Sequence, residues 1–235
     1  MKFVVCKTPE EIGEKIAKEM IELIQDKPNA ILGLATGSSP IPTYKNLIEA
    51  YAKGEVSFKE VSSFNLDEYI NPPFEEATYR YFMKDNLFSH VDIDLKNTHF
   101  PSKENMKEYD EEIVKAGGVD FQILGIGRDG HIGFNEPNTP FDSKTHIAEL
   151  DESTRVANAR FFNSLEETPT EAITMGLSTI MQARHIVMIV SDLSKVDALK
   201  ALLKGEEDLM WPATVLASHP SVEIFVTKEV FDAAK

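Results

Sequence analysis

Short apolar runs recur along this chain, and a segment with helical spacing separates each run from the next. Residues 30–35 and 185–190 are apolar almost throughout. They lack the strict alternation of a strand with one solvent-exposed face, so both faces of these strands are predicted to be buried. Between such strands, Ile12, Ile16 and Met20 recur at the spacing of one helix face. This alternation favours an open α/β fold, a mostly parallel sheet with helices on both faces.

The individual elements can be placed from the same patterns. The predicted strands cover residues 2–6, 30–35, 61–66, 97–100, 119–124, 185–190 and 222–226. The predicted helices cover residues 42–53, 78–88, 102–116, 169–182 and 194–203, with one more at the C-terminal end and a first one after Thr8. Thr8 is a good N-cap, and Glu11 completes a capping box with it. No repeat or linker divides the chain, so a single domain over residues 1–235 is predicted.

Charge and cysteine content restrict the possible partners and compartment. The formal net charge is −15, so neither nucleic acid nor an anionic membrane surface is an expected partner. The single cysteine, Cys6, excludes an internal disulfide, and no apolar run near the N-terminus is long enough for an export signal. We therefore expect a cytoplasmic protein. If its ligand is phosphorylated, a few basic residues must concentrate positive potential at the site.

A loop of small residues follows the strand at 30–35. Thr36, Gly37, Ser38 and Ser39 stand between this strand and the next predicted helix, where backbone N–H groups and hydroxyls can bind an anion. No Gly-Lys-Ser/Thr follows, so the loop is not a Walker motif. An ordinary capped turn is the alternative. The loop is a candidate phosphate site.

Two adjacent carboxylates follow the strand at 61–66. Asp67 and Glu68 would crowd like charges at a strand end, where burial is greatest, and this is unfavourable for stability. One of the pair is therefore a candidate base, and a solvated loop acid is the alternative.

A third motif, residues 124–137, contains three glycines in a G-x-G-x-x-G pattern. Gly125, Gly127 and Gly130 follow a strand, which is typical of a dinucleotide site. Such a site should open a helix, whereas Gly133 and Pro137 follow here. Dinucleotide binding is therefore disfavoured, and we interpret the glycines as positions where the backbone approaches a ligand closely.

The same motif places two carboxylates near an imidazole. Asp129, His131 and Glu136 could bind a metal, but metal sites usually include a second His or Cys, and none is near. A histidine oriented by carboxylates and acting as acid and base accounts for the set better. Two further cations, Arg160 and Lys195, are candidates for holding a phosphate group, or alternatively are surface charges.

These motifs together resemble the glucosamine-6-phosphate deaminase family over nearly the whole chain. The matching segments are Leu-Ala-Thr-Gly-Ser-Ser-Pro at 34–40, Phe-Asn-Leu-Asp-Glu-Tyr at 64–69, Gly-His-Ile-Gly-Phe-Asn-Glu-Pro at 130–137 and Thr-Arg-Val-Ala-Asn-Ala-Arg-Phe-Phe at 154–162. The resemblance implies a Rossmann-like α/β fold with a mobile lid near residues 150–175. Asp-Gly-His also occurs in the phosphogluconolactonases of the same fold, but the Phe-Asn-Glu-Pro extension fits the deaminases.

The resemblance also implies a mechanism. His131, assisted by Asp129 and Glu136, would open the ring of glucosamine 6-phosphate, and Asp67 would take the proton from C2. Fructose 6-phosphate and ammonia would be the products of this hydrolase-type reaction in amino sugar catabolism. The step needs neither a cofactor nor a metal, so none is expected.

Two other functions stay open at this point. A lactonase would use His131 to activate water and would have little use for Asp67, and a sugar-phosphate sensor would not need the acid–base set. The resemblance further implies an enzyme that is not activated by N-acetylglucosamine 6-phosphate. Regulated relatives have basic residues where this chain has His146 and Ala148, and they continue beyond Lys235. We expect a monomer rather than a homo-oligomer.

Overall fold

Parallel strands form the centre of the molecule. The computed structural model describes residues 1–150, 152–159 and 162–235. Its strands in these ranges are β1 (Lys2–Cys6), β2 (Ile31–Leu34), β3 (Ser62–Asn65), β4 (Asp67–Tyr69), β5 (Thr98–His99), β6 (Phe121–Leu124), β7 (His146–Glu149), β8 (Glu171–Thr174), β9 (His185–Val190) and β10 (Val222–Thr227). All seven sequence-predicted strands are confirmed: four are two residues shorter than predicted, two have the predicted bounds, and β10 is one residue longer.

Helices connect most of these strands. They are α1 (Pro9–Asp26), α2 (Ile41–Ala52), α3 (Tyr79–Asn86), α4 (Tyr109–Ala116), α5 (Glu152–Asn158), α6 (Leu177–Ile180), α7 (Val196–Lys204) and α8 (Lys228–Ala234). The first begins as predicted, because the Thr8 hydroxyl accepts the Glu11 backbone N–H at 3.1 Å. The carboxylate of Glu11 accepts the backbone N–H of Lys7 rather than that of Thr8.

Seven strands form an entirely parallel sheet in the order β1-β10-β9-β6-β2-β3-β5. From β2 the chain proceeds outward to β3 and β5, and it then crosses to β6 on the other side. The strand order therefore reverses between β2 and β6. In open sheets the crevice beyond the carboxyl ends of the strands at such a point is the usual ligand site.

The core covers both faces of this sheet, as the sequence predicts. Side chains from β6, β9 and β10 are almost wholly buried, including Ile123, Met188 and Ile224. They pack in one cluster with Ile16 and Met20 of α1. The mostly parallel α/β architecture is thus confirmed.

In the part of the chain that is described, no helix combines the length and apolarity needed to cross a membrane.

A second, antiparallel sheet was not predicted. Its order is β4-β8-β7, so β8 is hydrogen-bonded on both sides. The predicted helix at 169–182 is therefore wrong, and only α6 is helical there. Pairing with two distant strands outweighs the local helical pattern. Two residues after β8, Gly176 lies where a Cβ would overlap the backbone of Ser143 and Lys144.

The predicted helix at 102–116 begins seven residues late, at Tyr109. Ahead of it, the backbone N–H of Ser102 donates to the side chain of Asn105 at 2.7 Å. Such local side-chain bonds compete with helical ones. The helix ends as predicted, at Gly117 with φ +115°.

Candidate active site

The motifs of the sequence converge at the carboxyl ends of the central strands. Residues 35–40 follow β2, Asp67 comes two residues after the end of β3, and residues 125–137 follow β6. These three strands are neighbours around the point where the strand order reverses. Parallel pairing thus brings together segments that lie far apart in the sequence.

His131 lies between the two carboxylates that the sequence predicts as its partners. Its Nδ1 is 2.7 Å from Asp129 Oδ1 and 3.4 Å from Glu136 Oε2. Both contacts become ion pairs when the imidazole is protonated. The side chain of Glu136 is 13% exposed and that of His131 25%. The cluster is therefore partly shielded from water but open to a ligand.

Two glycines of this loop make room for site residues, which corrects for Gly127 the interpretation that it admits a ligand, whereas Gly125 has open space beside it. A Cβ on Gly127 would overlap the imidazole ring of His131. Gly133 has φ +59°, and a Cβ there would lie 2.7 Å from Thr174 Oγ1 and 3.3 Å from Asp67 Oδ2. The loop can pack this closely against the second sheet only with glycine at these positions.

Buried polar side chains that the sequence analysis passed over hold this loop in place. The amide group of Asn135 donates to the carbonyls of Ile132 and Met175, both at 2.8 Å. The backbone N–H of Phe134 donates to Thr174 Oγ1 at 3.1 Å. Thr174 belongs to β8, so the missed strand supports the predicted catalytic loop. Asn135 has no motif signal beyond its place in Phe-Asn-Glu-Pro.

Asp67 is the first residue of β4 and is only 7% exposed. Burial raises its pKa to about 7, and the charge of Glu68 adds to this, against the opposing effect of His131. A carboxyl group with this pKa can both take and return a proton near neutral pH. The crowding of carboxylates expected from the sequence is present, but desolvation is the larger cause.

The carboxylate of Glu68 is already engaged in hydrogen bonds to the backbone. Its carboxylate accepts backbone N–H groups from Tyr69, Tyr79 and Arg80 at 2.9–3.0 Å. Two of these donors belong to the first turn of α3, so Glu68 caps this helix. Of the two adjacent acids, Asp67 is therefore the one whose side chain is left for chemistry.

The two carboxylates also determine the charge of His131. Burial alone would lower the pKa of its imidazole, but Asp129 and Glu136 outweigh burial and raise the pKa to about 9. Burial opposes ionisation of Asp129 as well, yet its interactions with His131 lower the pKa of this carboxyl well below its usual range. At neutral pH the cluster is an imidazolium held by carboxylates.

The same three residues form the one group within the described residues that has the composition and spacing of a metal site. Their ligand atoms lie within 4.8 Å of one another. One imidazole and two carboxylates could hold a divalent ion, but Nδ1 of His131 already faces both acids. A protonated histidine is not a ligand, so the raised pKa favours acid–base chemistry.

The candidate phosphate loop stands directly before α2. Thr36, Ser38 and Ser39 are at least partly accessible, and in the described part of the chain their hydroxyls form no hydrogen bond within the protein. They are thus available to a ligand beside a helix N-terminus. Gly37 has φ +88°, a conformation that favours glycine.

Two cations lie near the carboxyl end of β9, which is separated from β2 by β6 in the sheet. Lys195 ends a 3-10 turn after β9. Hydrogen bonds from Ser194 lower the pKa of the Asp192 carboxyl, and the positive charges of Lys195 and Arg128 lower it further. Both cations therefore lie near Asp192 at this edge of the sheet. Arg128 is not among the site residues predicted from the sequence. The other predicted cation, Arg160, lies outside the described residues.

A small aromatic cluster joins the segment after α5 to the second sheet. The ring of Phe162 meets Tyr69 edge-on, with centroids 5.6 Å apart, and the ring of Phe134 also packs against Tyr69, at a centroid distance of 5.6 Å. In the same region Thr154 of α5 donates a hydrogen bond to Glu136 Oε1 at 2.8 Å. The predicted lid near 150–175 thus includes contacts to the site, but its last part is β8, and its mobility stays a prediction.

Sequence comparisons agree with this geometry. The family described as Glucosamine-6-phosphate isomerases/6-phosphogluconolactonase matches residues 7–225. A glucosamine-6-phosphate deaminase of Thermoanaerobacter pseudethanolicus is 49% identical over 97% of this chain and 93% of its own length. One of Malacoplasma penetrans is 48% identical over 95% of this chain and 96% of its own.

Solved structures extend the comparison to the fold. A monomeric glucosamine-6-phosphate deaminase superposes with a TM-score of 0.95 at 37% identity and covers 99% of this chain and 100% of its own. A 6-phosphogluconolactonase from Thermotoga maritima gives a TM-score of 0.74 at 20% identity, covering 97% of this chain and 99% of its own, and shares the fold alone. The chain therefore belongs to the glucosamine-6-phosphate isomerase/6-phosphogluconolactonase family, and within it to the glucosamine-6-phosphate deaminases.

Proposed function

We propose that the chain converts glucosamine 6-phosphate to fructose 6-phosphate and ammonia. The observation that carries this proposal is the buried Asp67 carboxyl beside the His131 cluster. An aldose–ketose isomerisation needs one group for ring opening and a separate one for the proton on C2. His131 and Asp67 can fill these two roles, because their environments give them different pKa values, about 9 and about 7.

Ring opening is assigned to His131. Its imidazolium donates a proton to the ring oxygen as the bond from C1 to that oxygen breaks. It then recovers a proton from the anomeric hydroxyl, so its charge is unchanged after the step. Asp129 and Glu136 hold the imidazolium in place and keep it protonated at neutral pH.

Deamination is assigned to Asp67. Its carboxylate takes the proton from C2 while O1 gains the proton that the substrate ammonium gives up, which gives an enolamine, and the proton on Asp67 is then delivered to C1. Water adds to C2 of the resulting iminium ion, and ammonia leaves, so the step is hydrolytic in outcome. Burial raises the pKa of Asp67 to about 7, and a carboxyl group with this pKa can both take the proton from C2 and give it to C1.

The substrate phosphate is assigned to the loop of Thr36, Gly37, Ser38 and Ser39, together with Arg160 and Lys195. The hydroxyls of the loop and the position of Lys195 beyond the carboxyl end of β9, on the same edge of the sheet, support the assignment. A chain with a net charge of −15 needs such local cations to attract an anion.

The direct test is to add glucosamine 6-phosphate to the purified protein and to measure ammonia and fructose 6-phosphate separately. Equal amounts of the two are expected. Hydrolysis of 6-phosphogluconolactone under the same conditions is the control for the related activity. A protein that hydrolyses the lactone and releases no ammonia would overturn the proposal.

A monomer in the cytoplasm is proposed as well. A monomeric deaminase is among the similar solved structures, and its chain superposes over nearly its full length. Cys6 is buried and free, which suits a reducing compartment.

The pH dependence of kcat/KM should be bell-shaped. It is expected to fall below about pH 7, where Asp67 gains a proton, and above about pH 9, where His131 loses one. Initial rates across this range measure both limbs.

Because the charge of Glu68 helps to raise the pKa of Asp67, Glu68→Gln should move the acidic limb to lower pH. Ionisation of the substrate phosphate would not respond to this variant, so an unmoved limb would contradict the assignment to Asp67.

Lys195→Ala should raise KM for glucosamine 6-phosphate with little change in kcat. A hydrogen bond to a charged group contributes about 1.5–3 kcal/mol, so the expected increase is about 10- to 150-fold. Lys200→Ala is the matched control, because Lys200 also belongs to this region but pairs with exposed Asp197. An equal KM for the wild type and Lys195→Ala would exclude the phosphate role of Lys195.

A further inference from the structure

Thr154 connects α5 to the proposed catalytic cluster. Its hydroxyl donates to Glu136 Oε1 at 2.8 Å, and the residue is only 8% exposed. The other carboxylate oxygen of Glu136, Oε2, faces His131 Nδ1 at 3.4 Å. One oxygen is thus held by α5 while the second faces the imidazole.

The position of Thr154 is itself supported from its own segment. The adjacent Arg155 donates from one guanidinium nitrogen to the carbonyls of Leu165 and Thr168, at 2.9 and 3.2 Å. These bonds connect α5 to the chain that leads into β8. The hydroxyl of Thr154 therefore approaches Glu136 from a hydrogen-bonded framework rather than from an isolated side chain.

A carboxylate that makes one contact to an imidazole can still rotate about its terminal bond. A second bond to the opposite oxygen restricts this rotation and favours one orientation. We propose that Thr154 is a positioning residue, which orients the carboxylate of Glu136 so that Oε2 faces His131. The catalytic consequence rests on the proposed function, whereas the effect on His131 does not.

Three variants separate this role from general packing. Thr154→Val removes the hydroxyl but keeps the shape of a buried side chain, and Thr154→Ser keeps the hydroxyl. Thr168→Val is the matched control, because Thr168 is buried in the same segment and its hydroxyl donates only to the carbonyl of Ser164, at 3.2 Å.

With glucosamine 6-phosphate, Thr154→Val should lower kcat by about 10- to 150-fold, the effect of losing a hydrogen bond to a charged group. KM should change less than about twofold, because the contact is to Glu136 and not to the phosphate site. Thr154→Ser and Thr168→Val should stay within about threefold of the wild type. A Thr154→Ser variant as impaired as Thr154→Val, or an equal loss in Thr168→Val, would overturn the proposal.

A second measurement needs no substrate. The titration of His131 can be followed by NMR in each variant, and the charged groups that face this imidazole are Asp129, Glu136 and Asp67. If Glu136 turns away in Thr154→Val, His131 loses one stabilising carboxylate and should titrate at lower pH. An unchanged titration would overturn the positioning role. If the wild type releases no ammonia, the proposed function fails, and this titration still decides the role of Thr154.

Discussion

Asp67→Asn is expected to lower kcat by about 10²–10⁴-fold, the usual contribution of a positioned general base. KM should change little, because Asp67 is assigned to proton transfer at C2 and not to the phosphate. Exchange of the C2 hydrogen with solvent should disappear in parallel, since the amide group of asparagine cannot accept that proton. Measuring ammonia release and hydrogen exchange in the same samples tests the assignment. An asparagine variant that exchanges this hydrogen at the wild-type rate would refute it.

Asp120→Asn is the matched control, because Asp120 is equally buried but stands at the opposite end of the sheet. Its carboxylate accepts hydrogen bonds from Lys27, from Arg184 and from the backbone of Ile31, so its loss should lower the melting temperature but not kcat per folded molecule.

The two variants should also differ in stability. The pKa of Asp67 is raised in the folded state, so its charged form is disfavoured there, and this cost to stability grows as the pH rises from about 4 through 7. Asp67→Asn removes this pH dependence. At pH 8 it should therefore not lower the melting temperature as Asp120→Asn does.

His131→Gln is expected to have the second largest effect, again about 10²–10⁴-fold on kcat with glucosamine 6-phosphate. The defect should be much smaller with an analogue that lacks the 4- and 5-hydroxyl groups and therefore stays open, since ring opening is then unnecessary. A chelator should leave the wild type unaffected. Equal impairment on the closed and open substrates would contradict the ring-opening role. Activity lost to a chelator and restored by a divalent ion would show that the cluster binds a metal.

His185→Gln is the control for this substitution. The side chain of His185 is 25% exposed, the same as that of His131, and it also contacts a carboxylate, Glu19, at 3.7 Å. It stands at the amino end of β9, however, on the edge of the sheet away from the candidate site. Normal activity in this variant would show that replacing a half-buried histidine is not in itself harmful.

Some features of the fold depend mainly on neighbours in the sequence, and these could be predicted. The start of α1 depends on Thr8 and Glu11, three residues apart, and the end of α4 on Gly117. The buried strands β2 and β9 are recognisable because their side chains are apolar on both faces. The convergence of the motifs at one sheet edge also follows, since parallel strands align their carboxyl ends.

Other features depend on partners that are distant in the sequence, and pattern analysis missed them. The segment Glu171–Thr174 is a strand because β4 (Asp67–Tyr69) and β7 (His146–Glu149), which both come earlier in the sequence, pair with it on its two sides. The supporting bonds of Asn135 and the contact between Thr154 and Glu136 depend on that same packing.

The amino-acid sequence by itself determined the α/β class, the family and the identities of the candidate acids, base and phosphate loop. Only the tertiary structure gives the physical reason that favours Asp67 over Glu68 as the base, because Asp67 is desolvated beside Gly133 while the carboxylate of Glu68 caps α3. It also decided the charge of His131, since two carboxylates outweigh the effect of burial. Desolvation and charge–charge interactions depend on distances in space, and a sequence pattern does not contain those distances.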